Sequence, residues 1–168
     1  KNLAIRGGNL TVSSTGSGAK GISVDGTATV SGGTTNISAT GTKFTYNTST
    51  TSEAKGFKSD GAFTMNNGEL NIAATDDGIK SETSITVNDG KINITKSTEG
   101  IESKTITFEG GVTNVTSSND GINASFGTTA GGTESNDGSN IFIKGGVLIV
   151  AGSDGIDSNG NITITGGT

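Results

Sequence analysis

The 168-residue chain contains no Cys, His, Pro or Trp, and only one Tyr and one Met. Without Cys or His it has no zinc site of the usual kind, no Ser-His-Asp or Cys-His nucleophile, no haem or iron–sulfur ligation and no disulfide scaffold. Catalysis would have to use carboxylates, Lys, Tyr46 or the single Arg6. Apolar runs are short, so no membrane-spanning helix is expected. A net charge of −5 and a pI near 4.6 argue against nucleic-acid or anionic-membrane partners. Hydrophobic residues make up 29% and charged residues 16%, both low for a globular domain. What fills the space is Gly (29 residues), Ser, Thr and Asn. Such a composition would suit a disordered chain unless the pattern says otherwise.

The pattern does say otherwise. One phrase recurs as KGISVDG from residue 20, KGFKSDG from 55, DGIKSET from 77, EGIESKT from 99, DGINASF from 120 and DGIDSNG from 154. Its Gly falls at 21, 56, 78, 100, 121 and 155, spaced by 35, 22, 22, 21 and 34, a period of the kind that marks stacked repeats. A second phrase alternates with it: LAIRGGNLTV from 3, FTMNNGELNI from 63, ITVNDGKINI from 85, ITFEGGVTNV from 106 and IFIKGGVLIV from 141. ITITGGT, from 162, begins a seventh copy.

Each copy holds three short stretches of period-two alternation, here a, b and c, separated by Gly-rich corners, which reads as strands and turns. Three such strands cannot bury an apolar face alone. Coiled into a rung and stacked, they can. The expected fold is an all-β parallel β-helix, a single domain over residues 1–168 with six to seven rungs of about 22 residues. Inward columns are expected at Ile5, Val30, Met65, Val87, Phe108, Ile143 and Ile164 on a, at Val12, Ile37, Ile72, Ile94, Val115 and Val150 on b, and at Ile22, Phe57, Ile79, Ile101, Ile122 and Ile156 on c. The two lengthened steps place inserts at about 40–54 and 126–140, on opposite edges of strand c. No capping segment is evident, so the chain is expected to be part of a larger protein or to meet a neighbouring domain or another copy at its ends.

Strand c carries the ordered charge. The residue before the phrase Gly reads Lys20, Lys55, Asp77, Glu99, Asp120 and Asp154, and the one after the inward residue reads Ser23, Lys58, Lys80, Glu102, Asn123 and Asp157. Stacked carboxylates at rung spacing repel, and oxygen ligands in that arrangement suit calcium. The candidate metal ligands are Asp76, Asp77, Glu99, Asn119, Asp120 and Asp154. A solvated acidic edge is the alternative. Lys55, Lys58, Lys80, Tyr46, Glu102, Asn123 and Asp157 are candidate carbohydrate contacts, because lysines beside bound calcium would suit a uronic-acid polysaccharide and an exposed aromatic suits a sugar ring.

The stretch Asp76 to Ser125, DDGIKSETSITVNDGKINITKSTEGIESKTITFEGGVTNVTSSNDGINAS, resembles the calcium-binding β-helical carbohydrate-binding domains of secreted clostridial and related bacterial proteins, in which rungs of the type S-D-D-G-I-x-S followed by I-T-I-x-G-G recur. The resemblance implies a right-handed, pectate-lyase-like β-helix that binds calcium near the D-D-G-I corners, and a secreted or cell-surface location. It also implies binding of cell-wall polysaccharide, either acidic (polygalacturonate, pectin) or cellulosic, without cleavage. Matching corners are Asp76-Asp77, Asn119-Asp120 and Ser153-Asp154, with Thr98-Glu99 looser. Ala19-Lys20 and Ala54-Lys55 depart from the pattern. Two other classes stay open: a structural or adhesin-type solenoid, and a calcium-dependent polysaccharide lyase using Lys58 or Lys80 as base.

Overall fold

A computed structural model describes residues 1–127 and 135–168. All regular structure among them is β, with one 15-stranded sheet of parallel pairings and one separate antiparallel pair. The parallel sheet closes on itself as a solenoid, because each stretch pairs with its own counterpart in the next copy and not with its neighbour in sequence. On strand a, Ile5 pairs with Val30, Val30 with Met65, Met65 with Val87, Val87 with Phe108, Phe108 with Ile143 and Ile143 with Ile164. Strand b stacks Val12, Ile37, Ile72, Ile94, Val115 and Val150 in the same way. On strand c the order is Ile22, Phe57, Ile79, Ile101, Ile122 and Ile156.

Two kinds of glycine make this stacking possible. At the corner between a and b, Gly8, Gly33, Gly68, Gly90, Gly111 and Gly146 all have φ between +77° and +98°, a conformation in which a side chain is strained. The c-column glycines have ordinary backbone angles and are needed for another reason. A Cβ on Gly78 would lie 2.6 Å from the Gly100 carbonyl oxygen, and one on Gly100 would lie 2.2 Å from that of Gly121. These carbonyls accept the ladder bonds that join copies, such as Ile79 N–H to Gly100 O at 2.9 Å. At the corner between c and a the chain barely breaks: Ile79–Val87 and Ile101–Phe108 run through it as single strands. There the buried Ser81 hydroxyl donates to the Ser84 carbonyl and accepts from the Thr83 and Ser84 amides.

The interior is wider than one apolar column per strand. Phe63, Ile85, Ile106 and Ile141 form a second buried column on a, and on b Leu70 and Ile92 lie between Thr35 and Thr113. Phe57 and Phe63 meet edge to face across the interior, their ring centroids 5.1 Å apart. Burial ends with the stack. Ile162 and Ile164 carry the same inward pattern on the strand Asn161–Ile164, yet are exposed, because among the described residues that strand has a partner on one side only, Asn140–Ile143.

Inside the first insert, Phe44–Asn47 and Thr50–Ser52 form the antiparallel hairpin. Its Ser52 hydroxyl donates to the Gly18 carbonyl, and Lys20 reaches both. The second insert lies partly outside the described residues, which omit 128–134. Its flanks are held by Asp137, which accepts from the Phe126 amide at 2.6 Å and the Ser139 amide at 2.8 Å. Those bonds outweigh the opposing effect of burial and hold the Asp137 carboxyl below its usual range.

Candidate functional site

Strand c presents the charged columns in register. Lys58 pairs with Lys80, Lys80 with Glu102, Glu102 with Asn123 and Asn123 with Asp157. The corner column just before it behaves differently, because the chain turns there and points some side chains back under the next copy. Asp77 is almost fully buried. Oxygen atoms of Asp77, Glu99 and Glu102 lie within 4.8 Å of one another. Three carboxylates from two successive copies of the pattern, Asp77 from one and Glu99 and Glu102 from the next, thus converge on one point.

Two lysines enter this cluster. The Lys55 ammonium lies 2.7 Å from Asp77, contacts Asp76 and is 3.3 Å from Glu53. Burial opposes its charge, but the charge of Asp77 and hydrogen bonds to Asp76 and Asp77 outweigh that and raise its pKa above the ordinary lysine value. Lys80 sits 2.5 Å from Glu102 on the other side. Burial pushes the Glu102 carboxyl upward, but Lys80, together with hydrogen bonds from Ser125 and Asp77, holds it below its usual range. Lys20, one copy further, is lowered by burial and by the charges of Lys55 and Lys58.

Two cations do not satisfy the cluster. Burial, then the Glu102 and Asp76 charges, push Asp77 up to about 8 despite Lys55. Burial and the charges of Glu102 and Asp120 push Glu99 up to about 7, against a hydrogen bond from Asn123 and the charge of Lys80. Near neutrality the cluster therefore retains protons that free carboxylates would have lost. Asn123 adds a further sign of unmet bonding. Its amide NH₂ donates to Glu99 at 3.3 Å, while its carbonyl oxygen Oδ1 is buried and accepts no hydrogen bond. A buried acceptor without a donor is costly and invites a cation or water.

A stability consequence follows from the raised carboxyl groups. Their native pKa values exceed the unfolded ones, so the native state binds more protons between about pH 4 and 8 and loses that advantage as pH rises. Without divalent cations, the melting temperature should fall by roughly 5 °C or more between pH 5 and pH 8. Asp77→Asn and Glu99→Gln should each flatten the slope. A melting temperature that is level or rising over this range would show that the carboxylates are not strained.

Of the ligand residues expected from sequence, the cluster unites Asp77 and Glu99. Asp76 is held by Lys55. Asn119 donates to Asp120 at 3.3 Å, and Asp120 acts on Glu99 through its charge. Asp154, the register partner of Asp120, is exposed on the outer copy. Glu102 and Asn123, expected as carbohydrate contacts, are part of the cluster itself. Lys58 is committed to Asp60 and lies 3.6 Å from Glu82. Tyr46 stands on the hairpin, exposed, its ring edge-on to Phe44 at 4.6 Å. Asp157 continues the Glu102–Asn123 column on the outermost copy.

Comparison with known families adds one finding. A family model described as "Carbohydrate-binding domain-containing protein" matches residues 1–100, a stretch that includes Asp77 and Glu99. No curated protein and no solved structure matches the chain.

Proposed function

The chain belongs to the carbohydrate-binding domain-containing protein family, and from that premise we propose that it is a non-catalytic module for acidic cell-wall polysaccharide, polygalacturonate or pectin, whose binding depends on calcium. We take its solenoid to be a right-handed β-helix of six to seven rungs, a single domain within a larger secreted or cell-surface protein.

The observation that carries the calcium dependence is the Asp77–Glu99–Glu102 convergence with the orphaned Asn123 Oδ1 beside it. These are hard oxygen donors, the set that calcium takes, and their retained protons are what a divalent cation would displace. Asp77, Glu99, Glu102 and Asn123 are the residues that would hold it. Bound there, calcium would neutralise the cluster and offer remaining ligand positions to sugar carboxylates. Lys80 holds Glu102 in place, and Lys55 neutralises the N-terminal side of the cluster, so that a polyanion approaching the c face meets less repulsion.

Support for a non-catalytic role comes from the same pairs. Lys58 and Lys80 are both in ion pairs with carboxylates, which leaves neither as a free base for proton abstraction.

Affinity electrophoresis through polygalacturonate, with metal analysis of the purified protein, tests the proposal. Stoichiometric calcium and strong retention that excess EDTA abolishes are expected. Retention unchanged in EDTA would overturn the calcium dependence, and release of unsaturated, ultraviolet-absorbing products would identify a lyase instead.

A further inference from the structure

A cavity of about 250 Å³ opens beside the acidic cluster, lined among others by Lys80, Glu82, Lys104, Ser125 and Phe126. It shares a wall with the cluster: Glu102, paired with Lys80, also accepts from the Ser125 hydroxyl at 2.9 Å. The charges along the cavity are accounted for in pairs, Lys80 with Glu102 and Glu82 with Lys58, with one exception. Lys104 makes no ion pair among the described residues. Its ammonium sits 3.8 Å from the centroid of the Phe126 ring, a favourable contact that leaves the positive charge without a counter-anion.

The backbone that carries the ring is held in place. Asp137 accepts from the Phe126 amide, and Ser139 next along is buried and donates from its hydroxyl to the Ala124 carbonyl at 2.8 Å. Half of Phe126 remains exposed. The cavity thus combines one uncompensated cation, one half-exposed aromatic face on an anchored backbone and a volume just below the usual range of ligand sites. The C–H face of a pyranose packs on an aromatic ring, and a carboxylate on that pyranose would pair with the lysine.

We propose that this cavity is a subsite for a single uronate residue of the bound polysaccharide, with Lys104 pairing its carboxylate and Phe126 carrying its ring. The proposal rests on the polysaccharide-binding role above and adds a determinant independent of the acidic cluster. It also makes Lys104 a second source, beside calcium, of the preference for acidic over esterified chains.

Lys104→Gln and Phe126→Ala test it, with Lys91→Gln, an exposed lysine on strand b, as control. Dissociation constants are measured by affinity electrophoresis against polygalacturonate and against its fully methyl-esterified form, in saturating calcium, with melting temperatures to confirm folding. Lys104→Gln should weaken binding to polygalacturonate about tenfold and leave the esterified polymer within twofold. Phe126→Ala should weaken both, and Lys91→Gln neither. If Lys104→Gln and Phe126→Ala both stay within twofold of the parent on polygalacturonate, while EDTA still abolishes retention, the subsite is wrong and the binding role stands. If the parent protein is retained by neither polymer, role and subsite fall together.

Discussion

Gly100→Ala should destabilise the protein by at least about 3 kcal/mol, and Gly100→Val should prevent folding. The added Cβ would lie 2.2 Å from the Gly121 carbonyl oxygen and 2.2 Å from Val115 Cγ1. One of these is the backbone of the next copy, which is locked into the parallel ladder and cannot withdraw without lengthening the bonds on either side. Because every copy rests on its neighbour, the strain cannot be confined to one turn. The control lies in the same motif. Gly155 occupies the equivalent position in the last D-G-I corner, where an added Cβ has nothing within 4 Å. Gly155→Ala should change stability by less than about 0.5 kcal/mol. Chemical denaturation of the pair separates close stacking from any general demand for glycine: equal losses in both variants would show that the motif itself, and not the copy above it, requires the residue.

Replacing Lys55 by Met should cost about 3–5 kcal/mol at pH 8, the usual consequence of removing one member of a buried ion pair. The lysine side chain is 12% exposed and that of Asp77 4%, so solvent cannot take over the role of the ammonium. Asp77 would then face Glu99 and Glu102 with no cation of its own. Its remaining recourse is a proton, which places a second, pH-dependent signature on the variant: the loss should shrink towards pH 5, where Asp77 is neutral in any case. The double variant Lys55→Met/Asp77→Asn should recover most of the stability. A single variant within 1 kcal/mol of the parent at pH 8, or a double variant no better than the single, would remove Lys55 as the counter-charge of the cluster.

The solenoid columns were legible because alignment of the repeats is a measurement made six times over. Ile79, Ile101 and Ile122 occupy the same place in three consecutive phrases, and an alternation that recurs at constant spacing can be satisfied only by stacking. The second interior column was less visible. Along strand b it mixes Leu70 and Ile92 with Thr35 and Thr113, and an alignment that looks for apolar identity passes over buried threonines.

The acidic cluster was half legible for a geometric reason. Alignment compares equivalent positions, which groups Asp77 with Glu99 and Asp120. It cannot show that Glu102, from a different column of the copy that carries Glu99, comes to the same point. Nor does it show that Lys55, aligned with those acids, extends across to the next copy and neutralises Asp77 together with its neighbour Asp76. Equivalent backbone positions do not give side chains of different length the same neighbours. Lys104 and Phe126 were harder still: Phe126 stands at the start of an insert that no other copy repeats, so no column included it.

The ladder has a mechanical consequence. The strands Leu3–Ile5 and Asn161–Ile164 lie at opposite ends of the stack, and the backbone hydrogen bonds between copies run along the line joining them. A pull on the two ends therefore unzips the stack from its ends, the bonds of an outermost copy opening before those of the next take up the load. Tension would be released as a succession of small extensions of about 22 residues each, with the 35- and 34-residue steps giving longer ones.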